Sequence, residues 1–100
     1  MNVTISQTEQ QTYVELSGRI DTLTSQEFLD TVTNAFCAEY PEIVIDCKGL
    51  NYISSSGLRT WLILHKTTLQ HGGKLTLLNL NPQVKEVLQM TGLSSIFSLG

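Results

Sequence analysis

The sequence predicts an α/β protein whose mixed, mostly parallel β-sheet begins with an N-terminal antiparallel hairpin and carries helices packed on it. β-rich runs near the N-terminus are followed by apolar strands that alternate with segments of helical period, an order typical of parallel sheets with helical crossovers. The 100 residues are 41% hydrophobic and 15% charged, a composition typical of a chain that folds around a core. We therefore expect a single domain over residues 1–100.

The N-terminal hairpin is predicted from the alternation of apolar and polar residues. Val3 and Ile5 alternate with polar residues, residues 7–11 are polar, and residues 13–16 are again β-rich. We expect Gly18 to end the second strand.

A helical period follows the hairpin, from Thr22 onward. Thr24 is followed three positions later by Glu27, the spacing of a capping box, and we expect Pro41 to stop the helix. The apolar positions that recur at helical spacing are Phe28, Val32, Ala35 and Phe36.

A second strand–helix unit is predicted in the middle of the chain. Residues 43–45 form a continuous β-branched run, typical of a strand buried on both faces of a parallel sheet. We expect residues 47–54 to connect this strand to a helix that ends at residues 71–73, where the chain has two glycines. The apolar stripe of this helix consists of Leu58, Trp61, Leu62, His65 and Leu69.

A third unit completes the predicted sheet. Residues 75–80 form another apolar strand, after which Asn81 can cap a helix and Pro82 suits its first position. Gly92 is expected to end this helix, and a last short strand or turn is predicted at residues 96–97. The inward stripe of the helix consists of Val84, Val87 and Leu88.

Charge and hydropathy exclude several classes of function. The six basic residues are scattered among nine acidic ones, for a net charge of -3, which argues against nucleic acid as a partner. The apolar runs are far shorter than the ~20 residues of a membrane-spanning helix. The N-terminal residues lack the pattern of a secretory signal. We expect no membrane insertion and a cytoplasmic location.

The cysteines and glycines predict no metal and no cofactor. Cys37 and Cys47 lie ten positions apart without a CxxC motif, which indicates buried free thiols rather than a zinc site or redox pair. No glycine-rich loop is followed by the lysine that nucleotide hydrolysis requires.

Three consecutive serines, Ser54 to Ser56, lie where the buried strand gives way to the second helix. Open α/β sheets place their sites at the carboxyl ends of their strands, and a helix N-terminus favours an anion. Helix capping, however, needs only one serine. From these residues alone, a capping role and a functional role remain alternatives.

The stretch from Ile43 to Leu58 resembles the STAS domain of bacterial anti-sigma factor antagonists. Residues 18–22, Gly-Arg-Ile-Asp-Thr, are similar to the Gly-x-Leu/Ile-Asp turn of that family. Residues 84–93 are similar to its closing apolar helix, which ends on Thr-Gly-Leu. The resemblance covers nearly the whole chain.

The resemblance implies a phosphorylation site. In the family hallmark, Asp-Ser-Ser/Thr-Gly-Leu, the hydroxyl residue before the glycine is phosphorylated by a partner that is both an anti-sigma factor and a serine protein kinase. That residue is Ser56 here, and Ser54 replaces the family's aspartate. A phosphoserine adds about -1.5 to -2 charges, enough to end binding to a surface that had accepted a neutral hydroxyl. The alternative implied role is an accessory subunit of an ABC-type lipid transporter.

A partner-contact surface is predicted along the second helix. The face opposite the apolar stripe carries Ile63 among polar residues, and it begins at Ser56. In the alternative, Ile63 packs under a neighbouring helix. The predicted partner-binding residues, including those that the resemblance implies, are Asp21, Ser54, Ser55, Gly57, Arg59, Thr60 and Ile63.

An enzymatic role for the serines has no support. Gly-x-Ser-x-Gly is absent, and His65 lies nine positions from Ser56 on the same helix. That spacing corresponds to about 13 Å of helix rise, beyond hydrogen-bond reach. We therefore expect a protein that acts by binding. Asp46 has two open interpretations, a structural bond to nearby N–H groups or a contact to the partner.

Overall fold

The computed structural model describes residues 1–99. Within them the chain forms five strands, three α-helices and one turn of 3-10 helix. The predicted order of strands and helices is confirmed. The strands are β1 (Asn2–Gln7), β2 (Thr12–Ile20), β3 (Ile43–Ile53), β4 (Leu75–Leu78) and β5 (Ser98–Leu99). The helices are α1 (Ser25–Ala35), α2 (Ser55–Gln70), α3 (Pro82–Met90) and the 3-10 turn η1 (Leu93–Ser95).

The sheet is mixed and mostly parallel, as predicted. Its strand order is β1-β2-β3-β4-β5, with β1 antiparallel to β2 and the later neighbours parallel. Each crossover from β2 onward advances by one strand in the same direction. Since such crossovers are right-handed, α1, α2 and α3 all lie on one face of the sheet. The opposite face is left open to solvent.

The core lies between this covered face and the helices. Along β2, Val14 and Leu16 are buried, whereas Glu15 between them is exposed on the open face. The three helices contribute side chains that are at most 3% exposed, chiefly Phe28, Val32, Trp61, Leu64, Val84 and Leu88. Burial of this apolar surface is the main stabilising contribution to the fold.

The cysteine prediction is confirmed for one thiol. Cys47 lies in the core at 1% exposure, and burial raises the pKa of its thiol to about 12. Cys37 follows α1 and is half-buried, so the prediction of a buried thiol is wrong there. Both thiols are free.

The strands β2 and β3 run further than the sequence predicts. β2 does not end at Gly18, which continues the strand with a φ of +88°. β3 continues to Ile53, so the predicted connection over residues 47–54 is wrong, and Ser54 alone joins β3 to α2. The pairing register of β2 with β3 shifts at residues 15–17 and again at residues 18–19. These irregularities interrupt the alternation of side chains along the strands. The sequence pattern therefore does not predict the C-terminal parts of β2 and β3.

The helix ends also differ from the predictions. α1 ends at Ala35, six positions before Pro41, because Phe36 is already extended. The capping box at Thr24 does not form: no side-chain cap bond is made, and the Thr24 hydroxyl accepts a bond from the N–H of Asp21 (3.0 Å). α2 ends as predicted, with His71 as its C-cap.

The third helix is capped as predicted. The side-chain oxygen of Asn81 accepts a hydrogen bond from the N–H of Val84 (2.8 Å), and Pro82 occupies the first turn. Gly92 adopts a φ of +77° beyond the helix end. The last strand is Ser98–Leu99, two residues beyond the predicted position.

In the described part of the chain, no helix has the length and apolarity needed to cross a membrane.

Candidate functional site

Ser54 connects the carboxyl end of β3 to the N-terminus of α2. Its hydroxyl oxygen accepts a hydrogen bond from the N–H of Gly57 (3.1 Å) and caps the helix. Its own N–H donates to the carbonyl of Ile20 (2.8 Å), which ties the start of α2 to the end of β2. The capping role that the sequence left open therefore belongs to this serine.

Ser55 and Ser56 are the first residues of α2, and their hydroxyls have no hydrogen-bond partner within residues 1–99. Ser55 is exposed and Ser56 is half-buried. The backbone N–H groups of both residues are also without a partner there, as the first N–H groups of a helix commonly are. Hydroxyls and N–H groups thus lie together at the positive end of the helix dipole.

Gly57 determines how closely α2 approaches the sheet. A Cβ atom at this position would lie 2.6 Å from Cγ1 of Ile53 and 2.8 Å from Cγ2 of Ile20. Only a glycine lets the first turn of α2 pack directly on the ends of β2 and β3. Gly57 is buried, so its prediction as a partner-contact residue is corrected: it positions Ser56 from below.

Asp21 organises the turn between β2 and α1. Its Oδ1 accepts hydrogen bonds from the N–H groups of Leu23 (3.0 Å) and Thr24 (3.0 Å). The hydrogen bond from the N–H of Thr24 is the main cause that lowers the pKa of Asp21 below its ordinary value. Desolvation acts in the opposite direction and raises this pKa. The bond between Ser54 and Ile20 places this turn beside the serines. The carboxylate itself is engaged within its own turn.

The buried face of α2 is rotated about the helix axis relative to the predicted stripe, and the predicted stripe residues Leu62 and His65 are only half-buried. Leu58 and Trp61 are buried as predicted, whereas Leu69 is 55% exposed. Thr60, predicted on the exposed face, is only 4% exposed, and its hydroxyl donates to the carbonyl of Gly57 (2.6 Å). The reason is that α2 packs against α1 as well as against the sheet, so a second side of the helix is covered. Leu64 and Thr68 are buried for the same reason.

An exposed strip nevertheless remains on α2. Arg59 is exposed, and Ile63 is 38% exposed rather than packed beneath a neighbouring helix. We call Ser55, Ser56, Arg59 and Ile63 the α2 strip.

Sequence reasoning missed two side chains near the serines. Tyr52, near the end of β3, is 41% exposed, and the guanidinium carbon of Arg19 lies 4.3 Å from its ring centroid. Leu23, in the turn after β2, is 90% exposed. Tyr52 fell in a segment assigned to a loop, and a single leucine in a polar turn leaves no periodic signal.

Asp46 takes the structural role. Its Oδ1 accepts bonds from the amide of Asn79 (3.0 Å) and the N–H of Lys48 (3.0 Å), and its Oδ2 accepts from the Tyr13 hydroxyl (3.0 Å). The Asn79 amide is the main cause that lowers the pKa of Asp46. Asp46 lies at the carboxyl end of the β3–β4 pairing, where it joins β2, β3 and the segment after β4.

The described residues form no metal centre, and the histidine in the middle of α2 packs against an aromatic ring. No group of three or more His, Cys, Asp or Glu side chains within residues 1–99 could hold a metal ion. His65 packs edge-on against Phe97, with 5.6 Å between ring centroids. The site therefore consists of two hydroxyls at the N-terminus of α2 that have no partner within residues 1–99, with exposed residues around them.

The fold and the site define a small α/β domain with two serine hydroxyls at the N-terminus of α2. Residues 2–100 match the family described as the STAS domain, and the chain belongs to this family.

Several relatives are named anti-sigma factor antagonists. The anti-sigma F factor antagonist of Paenibacillus polymyxa is 34% identical over 87 residues, which cover 86% of this chain and 74% of that protein. BtrV of Bordetella bronchiseptica, provisionally named as an anti-sigma factor antagonist, is 46% identical over 55 residues. That match covers 55% of this chain and 47% of BtrV.

Solved structures show the same fold. The unphosphorylated form of the anti-sigma factor antagonist SpoIIAA has a TM-score of 0.84 at 20% identity, over 99% of this chain and 88% of that one. The phosphorylated form of SpoIIAA from Bacillus has a TM-score of 0.76 at 20% identity, over 99% of this chain and 91% of that one.

Proposed function

We propose that this chain is an anti-sigma factor antagonist that is switched by phosphorylation of Ser56. Unmodified, it binds an anti-sigma factor that is also a serine protein kinase and thereby frees a sigma factor. Phosphorylation of Ser56 ends the binding. The names of the relatives support the antagonist role, and the phosphorylated structure of SpoIIAA supports a phosphorylation switch.

The observation that carries the proposal is the state of the Ser56 hydroxyl. The residue is half-buried, its hydroxyl makes no hydrogen bond within the described residues, and its backbone adjoins the close packing of Gly57 on the sheet. A kinase can therefore engage this hydroxyl without breaking an internal bond. Ser54, by contrast, uses its oxygen to cap the helix.

The same position explains how a phosphate would act as a switch. The phosphate would lie at the N-terminus of α2, where the helix dipole and free N–H groups favour negative charge, so the fold tolerates it. A partner surface that fits a neutral hydroxyl would meet about -1.5 to -2 added charges. Binding is then lost while the protein stays folded.

The partner surface in this proposal consists of the α2 strip and the adjoining Asp21 turn. Ser55, Arg59 and Ile63 are exposed on it, whereas Gly57 and Thr60 support it from within. Ser54 holds the helix end. The protein acts through this surface by binding, and the chemistry of phosphoryl transfer belongs to the partner kinase.

Phosphorylation in vitro tests the proposal. The protein is incubated with ATP and each purified anti-sigma factor kinase encoded in its genome, and the products are mapped by mass spectrometry. We expect one phosphate, on Ser56. Ser56→Ala should abolish it, and the matched control Ser55→Ala should retain it.

Two outcomes would contradict the proposal. A phosphate on Ser54 or Ser55 of the unmutated protein would contradict the assignment of the acceptor. Binding to a subunit of an ABC-type lipid transporter, without binding to any of the anti-sigma factors, would favour the alternative role.

A further inference from the structure

The turn between β2 and α1 displays an apolar side chain almost entirely to solvent. Leu23 is 90% exposed, compared with 79% for Met90 and 55% for Leu69. A single exposed leucine is common on protein surfaces, and exposure alone indicates nothing. Its conformation and its location distinguish Leu23.

The backbone of Leu23 is held in place. Its N–H donates to Oδ1 of Asp21, and the same oxygen accepts from the N–H and the hydroxyl of Thr24 (3.0 and 3.1 Å). The carbonyl of Asp21 accepts from the N–H groups of Thr24 and Ser25 (3.3 and 2.9 Å). A side chain displayed from an ordered turn loses less conformational entropy when a partner covers it than one displayed from a mobile loop.

Leu23 also follows the carboxyl end of β2, against which the first turn of α2 packs. Ile20 contacts the first turn of α2 and accepts the Ser54 N–H bond, and Leu23 follows it by three residues. Three Cα–Cα steps of about 3.8 Å put Leu23 at most about 11 Å from Ile20. A standard protein interface covers about 800 Å² per partner, a patch of about 16 Å radius. An interface of that size centred on the contact between Ile20 and the first turn of α2 reaches the turn.

We propose that Leu23 is an apolar anchor of the partner-binding surface, which inserts into an apolar pocket of the anti-sigma factor beside the pocket for Ser56. This inference rests on the proposed function and names a contact that the serine motif does not contain. Asp21 supports the anchor by fixing the turn. The partner therefore recognises two features, the hydroxyl at the start of α2 and the leucine after β2.

Affinity measurements on Leu23→Ala test the inference. Titration calorimetry is performed with the anti-sigma factor kinase that phosphorylates the unmutated protein. Removing three buried carbons at about 0.8 kcal/mol each is expected to weaken binding about fiftyfold. The melting temperature should not change, because the side chain makes little contact with its own fold.

Two further variants serve as controls. Leu23→Met should retain most of the affinity, because methionine fills a similar volume. Leu69→Ala removes the same atoms from an exposed leucine at the far end of α2, a helix of 16 residues and thus about 24 Å long. It should bind like the unmutated protein.

The outcomes separate this inference from the proposed function. Unchanged affinity of Leu23→Ala, with Ser56 still phosphorylated, would overturn the anchor and leave the proposed function standing. Equal losses for Leu23→Ala and Leu69→Ala would also overturn it, because the effect would not be local. Failure of the unmutated protein to bind any anti-sigma factor kinase would overturn both.

Discussion

Ser54, Ser55 and Ser56 carry the same side chain, yet hydrogen bonding gives them different roles. The Ser54 oxygen accepts the N–H of Gly57, whereas the hydroxyls of the next two serines remain free within the described residues. Serine and aspartate are about equally good N-caps. Ser54 therefore preserves the cap that the family's aspartate would provide, and what is lost is a negative charge beside Ser56.

The effect of that charge can be measured with Ser54→Asp. We expect faster phosphorylation of Ser56, because a carboxylate accepts a stronger hydrogen bond from the acceptor hydroxyl or from the kinase than a serine does. The free energy of unfolding should stay equal or rise by about 0.3 to 1 kcal/mol, since a negative charge at a helix N-terminus is favourable.

Ser54→Asn is the matched control for this experiment, because asparagine caps a helix without adding charge. Rates are compared by mass spectrometry at equal kinase concentration. Equal rates for the aspartate and asparagine variants would show that the charge has no part in the reaction.

At the scale of the element, α2 combines three surfaces. One side packs on the sheet, a second packs against α1, and the α2 strip remains exposed. Trp61 is fully buried and meets Phe97 edge-on, with 6.2 Å between ring centroids, whereas Ile63, two positions later, is 38% exposed. Neighbouring positions of one helix therefore serve the core and the proposed partner surface.

Opposite consequences are expected for Ile63→Glu and Trp61→Ala. Ile63→Glu should weaken binding to the anti-sigma factor and leave the melting temperature nearly unchanged. Trp61→Ala should cost about 3 to 5 kcal/mol of stability, because it empties a large volume in the core. Thermal melts and titration calorimetry on both variants measure the two effects.

Leu69→Glu is the control for Ile63→Glu, since it adds the same charge at an exposed apolar position near the C-terminus of α2. It should bind normally. A large fall in the melting temperature of Ile63→Glu would show that Ile63 belongs to the core and would reduce the partner surface to the helix end and its neighbouring turn.

At the scale of the whole molecule, Asp46 joins distant segments of the chain. Its carboxylate links Tyr13 of β2 to Asn79, which follows β4. The pKa of Asp46 is lower in the folded protein than its ordinary value, chiefly because of the Asn79 amide. Its stabilising contribution is therefore complete above the unfolded pKa of about 3.9 and is lost as pH falls through the lower folded value.

Asp46→Asn should lower stability at pH 7 by about 1 to 2 kcal/mol, because bonds to a charged acceptor are replaced by weaker ones. The unmutated protein should lose stability below about pH 4 as Asp46 is protonated. Asp46→Asn should lose less stability over the same pH range, because it lacks this carboxylate. Urea unfolding between neutral and acidic pH measures both effects. Asp30→Asn on α1 is the control for charge alone, because within residues 1–99 the Asp30 carboxylate accepts a hydrogen bond only from Gln26, one turn away on its own helix. Identical acid dependence in both variants would show that Asp46 makes no special contribution.

The sequence by itself determined the fold class and most of the elements. Elements whose formation depends on nearby residues could be predicted from the sequence. Examples are the alternation of β1, the helical period of α1 and α2, and the Asn-Pro start of α3. It also located the segment that holds the candidate site, because three consecutive serines lie between a predicted buried strand and a predicted helix.

Only the tertiary structure decided the parts that depend on contacts distant in sequence. The bulged pairing of β2 with β3 extends both strands, and packing of α1 on α2 buries Thr60. Ile20 and Ile53 lie so close to α2 that only a glycine fits at position 57. Hydrogen bonds to Asp21 hold the turn that exposes Leu23, and a bond between Ile20 and Ser54 joins the end of β2 to the start of α2. Burial and hydrogen bonding depend on which segments are neighbours in space. They therefore cannot be predicted from the periodicity of one segment alone.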